Sequence, residues 1–316
     1  MTYKNKLIFL VSLIAVLALL LTGNLIFNSD IGNKQSSFVW IDSKTAEKVT
    51  RIAINAEGQE FEIVYNSNQW SVLYNDTVYP ARIVRINDFL NILTKRAAWQ
   101  VRSSSASNHE RFGLTQSTSN VKLYFDNTIL LDLLIGNDDV FKNETYFRKA
   151  GDNEVISGDS SIKNYITGPI TNWYNLRLIP ESEGMDNNAA QLDVNSVQRL
   201  SVYNEGETLL FSRRNRAWAI EGLENLNISA IESYIRTILN TEGDNFADPD
   251  FISESFNDNI RIVIELGNGR IITIRLTTAD DTGRRYAQVS GRNYIYSIPS
   301  WSAGRMFRNL ASFEAQ

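Results

Sequence analysis

Three arginines, Arg213, Arg214 and Arg216, crowd the approach to Trp218. Guanidinium groups present planar forks of donors that suit carboxylates and phosphates, so the cluster points to a partner or an anionic ligand. The competing reading is an exposed turn that tolerates charge, because single surface charges do little by themselves. Groups able to run a reaction are sparse. His109 is the only histidine and cysteine is absent, which rules out a two-histidine zinc site, an H-E-x-x-H helix and a thiol nucleophile. His109 stands near Ser103-Ser104-Ser105, but a catalytic serine needs a third orienting partner and a donor pocket, so the run reads as an exposed linker beside a loop histidine. No G-x-S-x-G elbow, Walker loop or dinucleotide fingerprint opens a helix after a strand. Asp138-Asp139 and the group Asp244, Asp248 and Asp250 lack the glycine bend and terminal glutamate of a calcium loop, and read as solvated turns. Carboxylate-dependent hydrolysis stays open only generically, since any two strands can juxtapose acids. No catalytic, cofactor-binding or metal role is assigned, the chain is expected not to be an enzyme and to need no cofactor, and Arg213, Arg214 and Arg216 are the candidate partner-binding residues.

The elements that must position these groups are written twice. Val49, Arg51, Ile52, Gly58, Phe61, Ile63 and Trp70 recur at one fixed offset as Val197, Arg199, Leu200, Gly206, Leu209, Phe211 and Trp218. With small indels, Phe89, Leu90 and Leu93 fall on Tyr234, Ile235 and Ile238, and Val121, Leu123 and Phe125 fall on Ile260, Ile262 and Ile264. Tyr146, Val155 and Ser157 then match Tyr286, Ile295 and Ser297. Two copies are too few for a solenoid, so a tandem pair of globular domains is expected. The arginines of the second copy face uncharged Asn66-Ser67-Asn68-Gln69 in the first, so the shared fold does not require them.

Within each copy, alternating apolar residues predict a three-stranded meander carrying a buried tryptophan on its third strand. A helix with an apolar stripe follows: Ile83, Ile86, Phe89, Leu90 and Leu93 in one copy, and Ile231, Tyr234, Ile235 and Ile238 behind an Asn227 cap in the other. Four more strands and a short closing helix complete the unit, with Gly267-Asn268-Gly269 as a hairpin turn. The fold class is α+β: two duplicated domains, each a mainly antiparallel sheet with one longer packed helix, preceded by one transmembrane helix. Trp40, Trp99, Trp173 and Trp301 are expected in core or interdomain packing, with an exposed sugar-stacking platform as the alternative.

The first residues differ from the rest. Lys4 and Lys6 precede an apolar stretch, Leu7 to Phe27, of about the ~20 residues a bilayer-spanning helix needs. Thr22-Gly23-Asn24 is a poor cleavage signal, and Asn24 stands where a lipoprotein would carry cysteine, so an uncleaved anchor with a cytoplasmic N-terminus is favoured. The expected layout is a cytoplasmic end 1–6, an anchor 7–27, a tether 28–45, repeat domain 46–179, linker 180–195 and repeat domain 196–316, with the bulk of the chain periplasmic or otherwise extracytoplasmic. Beyond the two lysines, 29 basic and 36 acidic side chains argue against a nucleic-acid partner and against broad adhesion to anionic lipid.

The V-x-R-I-x-I strand, the following G-x-x-F, the helix, Glu110-Arg111-Phe112-Gly113-Leu114, Leu134-Ile135-Gly136, Tyr146-Phe147-Arg148 and Trp173 together resemble the bacterial domain of unknown function 4340. The second copy has neither the Phe-Gly-Leu nor the Ile-Gly step, so its resemblance rests on the meander, the helix and the Tyr286 strand. The resemblance implies an inner-membrane-tethered, non-catalytic accessory subunit beside gliding-motility-type ABC exporters, with the permease, ATPase and auxiliary membrane subunits as partners. A free-standing binder of envelope glycan or lipid is the alternative, and a carboxylate hydrolase a third.

Overall fold

In a computed structural model, the described residues are 35–315 apart from 57, 116–117, 140, 142, 180–191, 249–250 and 252–255. The anchor segment Leu7–Phe27 and most of the 180–195 linker lie outside them. No helix among the described residues is long and apolar enough to cross a membrane.

Strand β1 (Gln35–Phe38) and the short helix α1 (Ser43–Ala46) precede strands β2 (Arg51–Ala56), β3 (Gln59–Asn66), β4 (Gln69–Tyr74) and β5 (Thr77–Pro80). Helix α2 (Ile83–Thr94) leads into β6 (Ala97–Ser103), β7 (Asn120–Phe125), β8 (Thr128–Asp139), β9 (Glu144–Lys149), β10 (Val155–Asp159) and helix α3 (Ser161–Ile166). The later part holds β11 (Val197–Asn204), β12 (Glu207–Arg214), β13 (Ala217–Ile220), helix α4 (Ile228–Leu239), β14 (Asn245–Phe246), β15 (Phe256–Leu266), β16 (Ile271–Thr277), β17 (Arg285–Val289), β18 (Ile295–Ile298) and helix α5 (Ser300–Met306). The protein is thus mainly antiparallel sheet, in two sheets, with few helices.

Two compact units divide the chain. One takes residues through Val64 with Val84–Pro169, and the other takes Tyr65–Ile83 with residues from Ile170 onward. The division falls ten residues before the 179/180 boundary drawn from sequence, and the β4–β5 hairpin sorts with the later unit. The backbone accounts for this placement. Asn175 N donates to Pro80 O and Arg82 N to Trp173 O, each at 2.7 Å, while the Tyr79 ring lies 4.8 Å from Tyr174 and 5.1 Å from Phe246.

In the first unit the strands run β1-β6-β10-β9-β8-β7-β2-β3. Period-two alternation puts Ile52 and Ile54 of β2 on one face, where Ile52 pairs with Ile63 and Leu123, and Ile54 with Phe61 and Val121; all six are buried. Helix α2 buries Ile86, Phe89 and Leu93, while Ile83, counted in its stripe, is largely exposed. Residues 35–45, read from sequence as the end of a tether, are built into the fold instead. Strand β1 pairs with β6, Trp40 and Ile41 are buried, and the Trp40 ring packs 5.2 Å from Trp99 and 5.8 Å from Phe147. The apolar Trp-Ile pair outweighs the polar composition around it.

The second unit's sheet runs β13-β12-β11-β15-β16-β17-β18-β14. Its order from β12 to β14 matches that from β3 to β6 in the first. The ladders also refine the sequence alignment: Leu200 faces Ile264 and Val202 faces Ile262, as Ile52 faces Leu123 and Ile54 faces Val121. Leu123 therefore corresponds to Ile264, two residues from the match read in sequence. A slip of two keeps every side chain on its face, so alternation alone cannot detect it. Helix α4 is capped by the Asn227 side chain, which accepts from Ala230 N at 3.0 Å, and its Tyr234 packs against Phe211 and Phe313. Trp218 is buried, as expected, but Trp70 is only half-buried and lies 5.1 Å from Tyr65.

Gly158 of β10 exists because Trp99 needs its space: a Cβ there would sit 1.7 Å from the indole. Gly158→Ala is expected to destabilise the protein by about 1–3 kcal/mol in urea unfolding. Gly304→Ala, on α5 where a Cβ meets nothing within 4 Å, is expected to be neutral or stabilising by up to about 1 kcal/mol. Equal effects would refute this account of the β10 packing.

Candidate functional site

The three motifs of the first unit meet at one place. Residues Ala106–Asn108 and Glu110–Phe112 form two successive 3-10 turns, closed by Gly113 at φ 71°. This loop lies so close to β8 that a Cβ on Gly136 would fall 2.2 Å from the Phe112 carbonyl oxygen, and one on Gly113 would fall 2.4 Å from Asn137 Oδ1. Phe112 packs edge-on to Tyr146 at 4.7 Å, and Leu114, Leu134 and Val155 form a small core beneath them. The Phe-Gly-Leu, Ile-Gly and Tyr-Phe-Arg steps are therefore one fastening of loop to sheet. Beside it lies a shallow cleft of about 610 Å³ lined by His109, Glu110, Leu114, Thr115, Leu134 and Arg148.

His109 does not activate a serine there. Its Nε2 lies 3.1 Å from the Asn153 carbonyl oxygen, which can only accept, so that nitrogen carries the proton. Ser103 instead accepts from Asn108 at 2.9 Å, and Ser105 bonds to Ser107 at 2.9 Å. Arg148 reaches the Asp152 carbonyl oxygen at 3.1 Å. Burial pushes the Tyr146 phenol up, and its hydrogen bond to Asp139 adds to the shift.

A second cluster was not foreseen as such. The buried Ser157 Oγ accepts from Arg102 Nε at 2.6 Å and donates to Glu144 Oε2 at 2.7 Å, and Arg102 Nη2 meets the same carboxylate at 2.7 Å. In the second unit the equivalent Ser297 takes a hydrogen bond from Arg284, which binds both oxygens of Asp244 at 2.7 and 2.8 Å. The signs are exchanged. Glu144 and Arg284 share the offset that relates Ser157 to Ser297, while the opposite charge comes from β6 in one unit and from Asp244, just before β14, in the other. A reacting site cannot swap acid for base and keep its chemistry, whereas a clamp between neighbouring segments can. Asp138 at the end of β8 is similarly occupied, by Thr145 at 2.6 Å and Lys163 at 2.8 Å. Among the described residues, no group of three or more His, Cys, Asp or Glu is placed to hold a metal ion.

The three candidate arginines do not converge. Arg213 pairs with Trp218 in the β12–β13 ladder, donates to the Asn195 carbonyl oxygen at 3.2 Å and Oδ1 at 3.0 Å, and lies over the Trp218 ring at 5.6 Å. Arg214 and Arg216 are exposed at the hairpin tip, where Asn215 and Arg216 take positive φ of 51° and 65°, as a tight two-residue hairpin loop requires. Arg213 thus holds the turn before β11 in place, and the other two remain open to solvent.

A family model described as "Domain of unknown function (DUF4340)" matches residues 70–259, more than half of the chain. The chain belongs to the DUF4340 family. No curated protein and no solved structure matches it. The DUF4340 match takes in the whole loop-to-sheet fastening and runs through α4 past Asp244, so it reaches residues of both clamps.

Sequence missed the clamps because their partners lie on separate strands. The available signal was the reversal of sign between Glu144 and Arg284 at a shared offset. Arg102→Glu is expected to cost about 1–3 kcal/mol, and Arg102→Glu/Glu144→Arg to recover more than half of it in urea unfolding; a double variant no better than the single would exclude a clamp. Burial alone would raise Asp138 and Asp244, but their hydrogen bonds and paired cations outweigh it and hold both below the usual aspartate range. Their contribution to stability is therefore complete above about pH 4 and lost as pH falls through the depressed values. Stability measured from neutral pH downward is expected to decline there, and Asp244→Asn to flatten part of that decline.

Proposed function

We propose that this DUF4340 protein is a membrane-anchored, extracytoplasmic binding or scaffold protein in which two copies of one α+β unit are held at the inner membrane by Leu7–Phe27. Its role in this reading is that of an auxiliary subunit of an ABC-type export complex, with permease, ATPase and auxiliary membrane subunits as partners. The observation that carries the non-catalytic part is the charge-exchanged clamp: the polar residues that both units concentrate around Ser157 and Ser297 fasten strands. The basic-then-apolar N-terminus supports the anchor, and family resemblance supports the export complex. In such a complex the anchor helix packs among permease helices, while the sheets present edges and hairpins such as Arg214–Arg216 to a partner.

The test is a mild-detergent pull-down of the tagged full-length chain, with mass spectrometry of the recovered proteins and of the chain's own N-terminus. The expected result is an ABC permease and ATPase recovered with residues 7–27 intact. A lone, processed, soluble chain would overturn both the anchor and the complex. Arg214→Ala/Arg216→Ala is expected to reduce recovery severalfold without altering unfolding, whereas Arg213→Ala is expected to lower stability through loss of its Asn195 contacts.

A further inference from the structure

Trp301, grouped by sequence with the packing tryptophans, is not packed. Trp40, Trp99 and Trp173 are buried to within 3%, but Trp301 in the first turn of α5 is 63% exposed. Its position is not one that the fold demands to be aromatic, because the offset relating Ser297 to Ser157 places Ser161 there in the first unit. The Arg305 guanidinium, one turn along, lies 5.3 Å from the indole centroid. Even with Arg305 at its face, the ring stays open to solvent.

Around this ring is a shallow groove of about 470 Å³ between α4 and α5, within the usual range for small-ligand sites. Its walls carry hydrogen-bonding side chains, among them Ser233, Arg236, Thr237, Asn240 and Arg305, and Glu242, whose carboxylate pairs with Arg82 at 3.0 Å. Several groups have capacity to spare. The Thr237 hydroxyl spends its proton on Ser233 O at 2.9 Å and keeps lone pairs to accept. Asn240 Oδ1 is taken by Arg177, leaving its amide nitrogen to donate. Arg236 is held only loosely by Glu232, at 3.4 Å.

We propose that this groove is a saccharide-binding site, with a pyranose ring stacked on Trp301 and its hydroxyls or other polar substituents bonded by Arg305, Arg236, Asn240 and Thr237. The chemistry selects this class. A protein interface gathers several apolar side chains into a dry centre, and here one indole stands among polar groups. A lone exposed apolar residue needs no explanation, as with Ile228 and Ile271, but neither of those lines this groove. A sugar has the matching makeup: one C–H face for the ring and hydroxyls at its rim. The site stands independently of the export-complex reading.

The test is a titration of the full-length chain, in a detergent without a sugar headgroup, with a neutral N-acetylglucosamine tetramer and with a uronate-containing tetramer, followed by calorimetry and tryptophan fluorescence. Weak binding of at least one probe is expected, reduced about tenfold or more by Trp301→Ala and severalfold by Arg305→Gln, with unchanged unfolding midpoints, as stacking partners lost to alanine predict. A preference for the uronate chain that disappears in Arg305→Gln would assign Arg305 to an acidic substituent. Failure of both probes to bind the folded wild type, or undiminished binding by Trp301→Ala, would overturn the proposal. So would a photo-crosslinker at position 301 that captures a polypeptide in the pull-down. None of these results alters whether the chain is recovered with a permease, so the two readings fail separately.

Discussion

The fold depends on the non-local pairing inside each sheet that joins the meander to the later strands: β2 with β7, and β11 with β15. Much of the rest of each sheet is hairpins between neighbours in sequence, which form at little loop-closure cost. The β2–β7 and β11–β15 ladders instead close over a long excursion that contains the principal helix, and they must recover that entropy by burial. The residues they bring together are correspondingly apolar and dry: Ile52, Ile54, Val121 and Leu123 in one unit, Leu200, Val202, Ile262 and Ile264 in the other, all exposed by 3% or less. In the second unit the helix seals the joint through Tyr234, whose hydroxyl reaches the Met306 carbonyl oxygen at 2.5 Å and whose ring clusters with those of Phe211 and Phe313.

What the amino-acid order revealed and what it concealed follow from the range of each interaction. Helix α4 with its Asn227 cap, the Gly267–Gly269 turn and the strand alternation are local, and each was readable within a few residues. The register of β7 was not, because a displacement of two residues conserves the hydrophobic face. The placement of the β4–β5 hairpin was not, because it is set by backbone bonds from Pro80 and Arg82 to residues near 174. Trp301 illustrates a third kind of opacity. Tryptophan is a core residue by composition, and only the surrounding helix geometry decides whether its ring meets protein or water.

The clamps bear on how a sequence of unknown chemistry should be read. Serine, arginine and carboxylate at hydrogen-bonding distance would, seen once, invite a catalytic interpretation. Seen in two units of the same strand order, with acid and base exchanged, they have the pattern of a charge clamp. A pair of opposite charges bridging one hydroxyl is indifferent to which strand supplies which sign, and that indifference is a property of a fastening.

The same comparison turns features held by only one unit into the informative ones. The close approach of the Phe112–Leu114 loop to β8 is possible only with glycine at 136 and 113, and it opens a cleft that the second unit does not build from the same motif. The second unit alone bears an indole at the position of Ser161, beside an arginine. Burying that indole would have been worth about 1.5–3 kcal/mol or more by its area. Only in the second unit does that position carry an indole left in solvent beside an arginine, a surface feature that the repeated fold does not itself require.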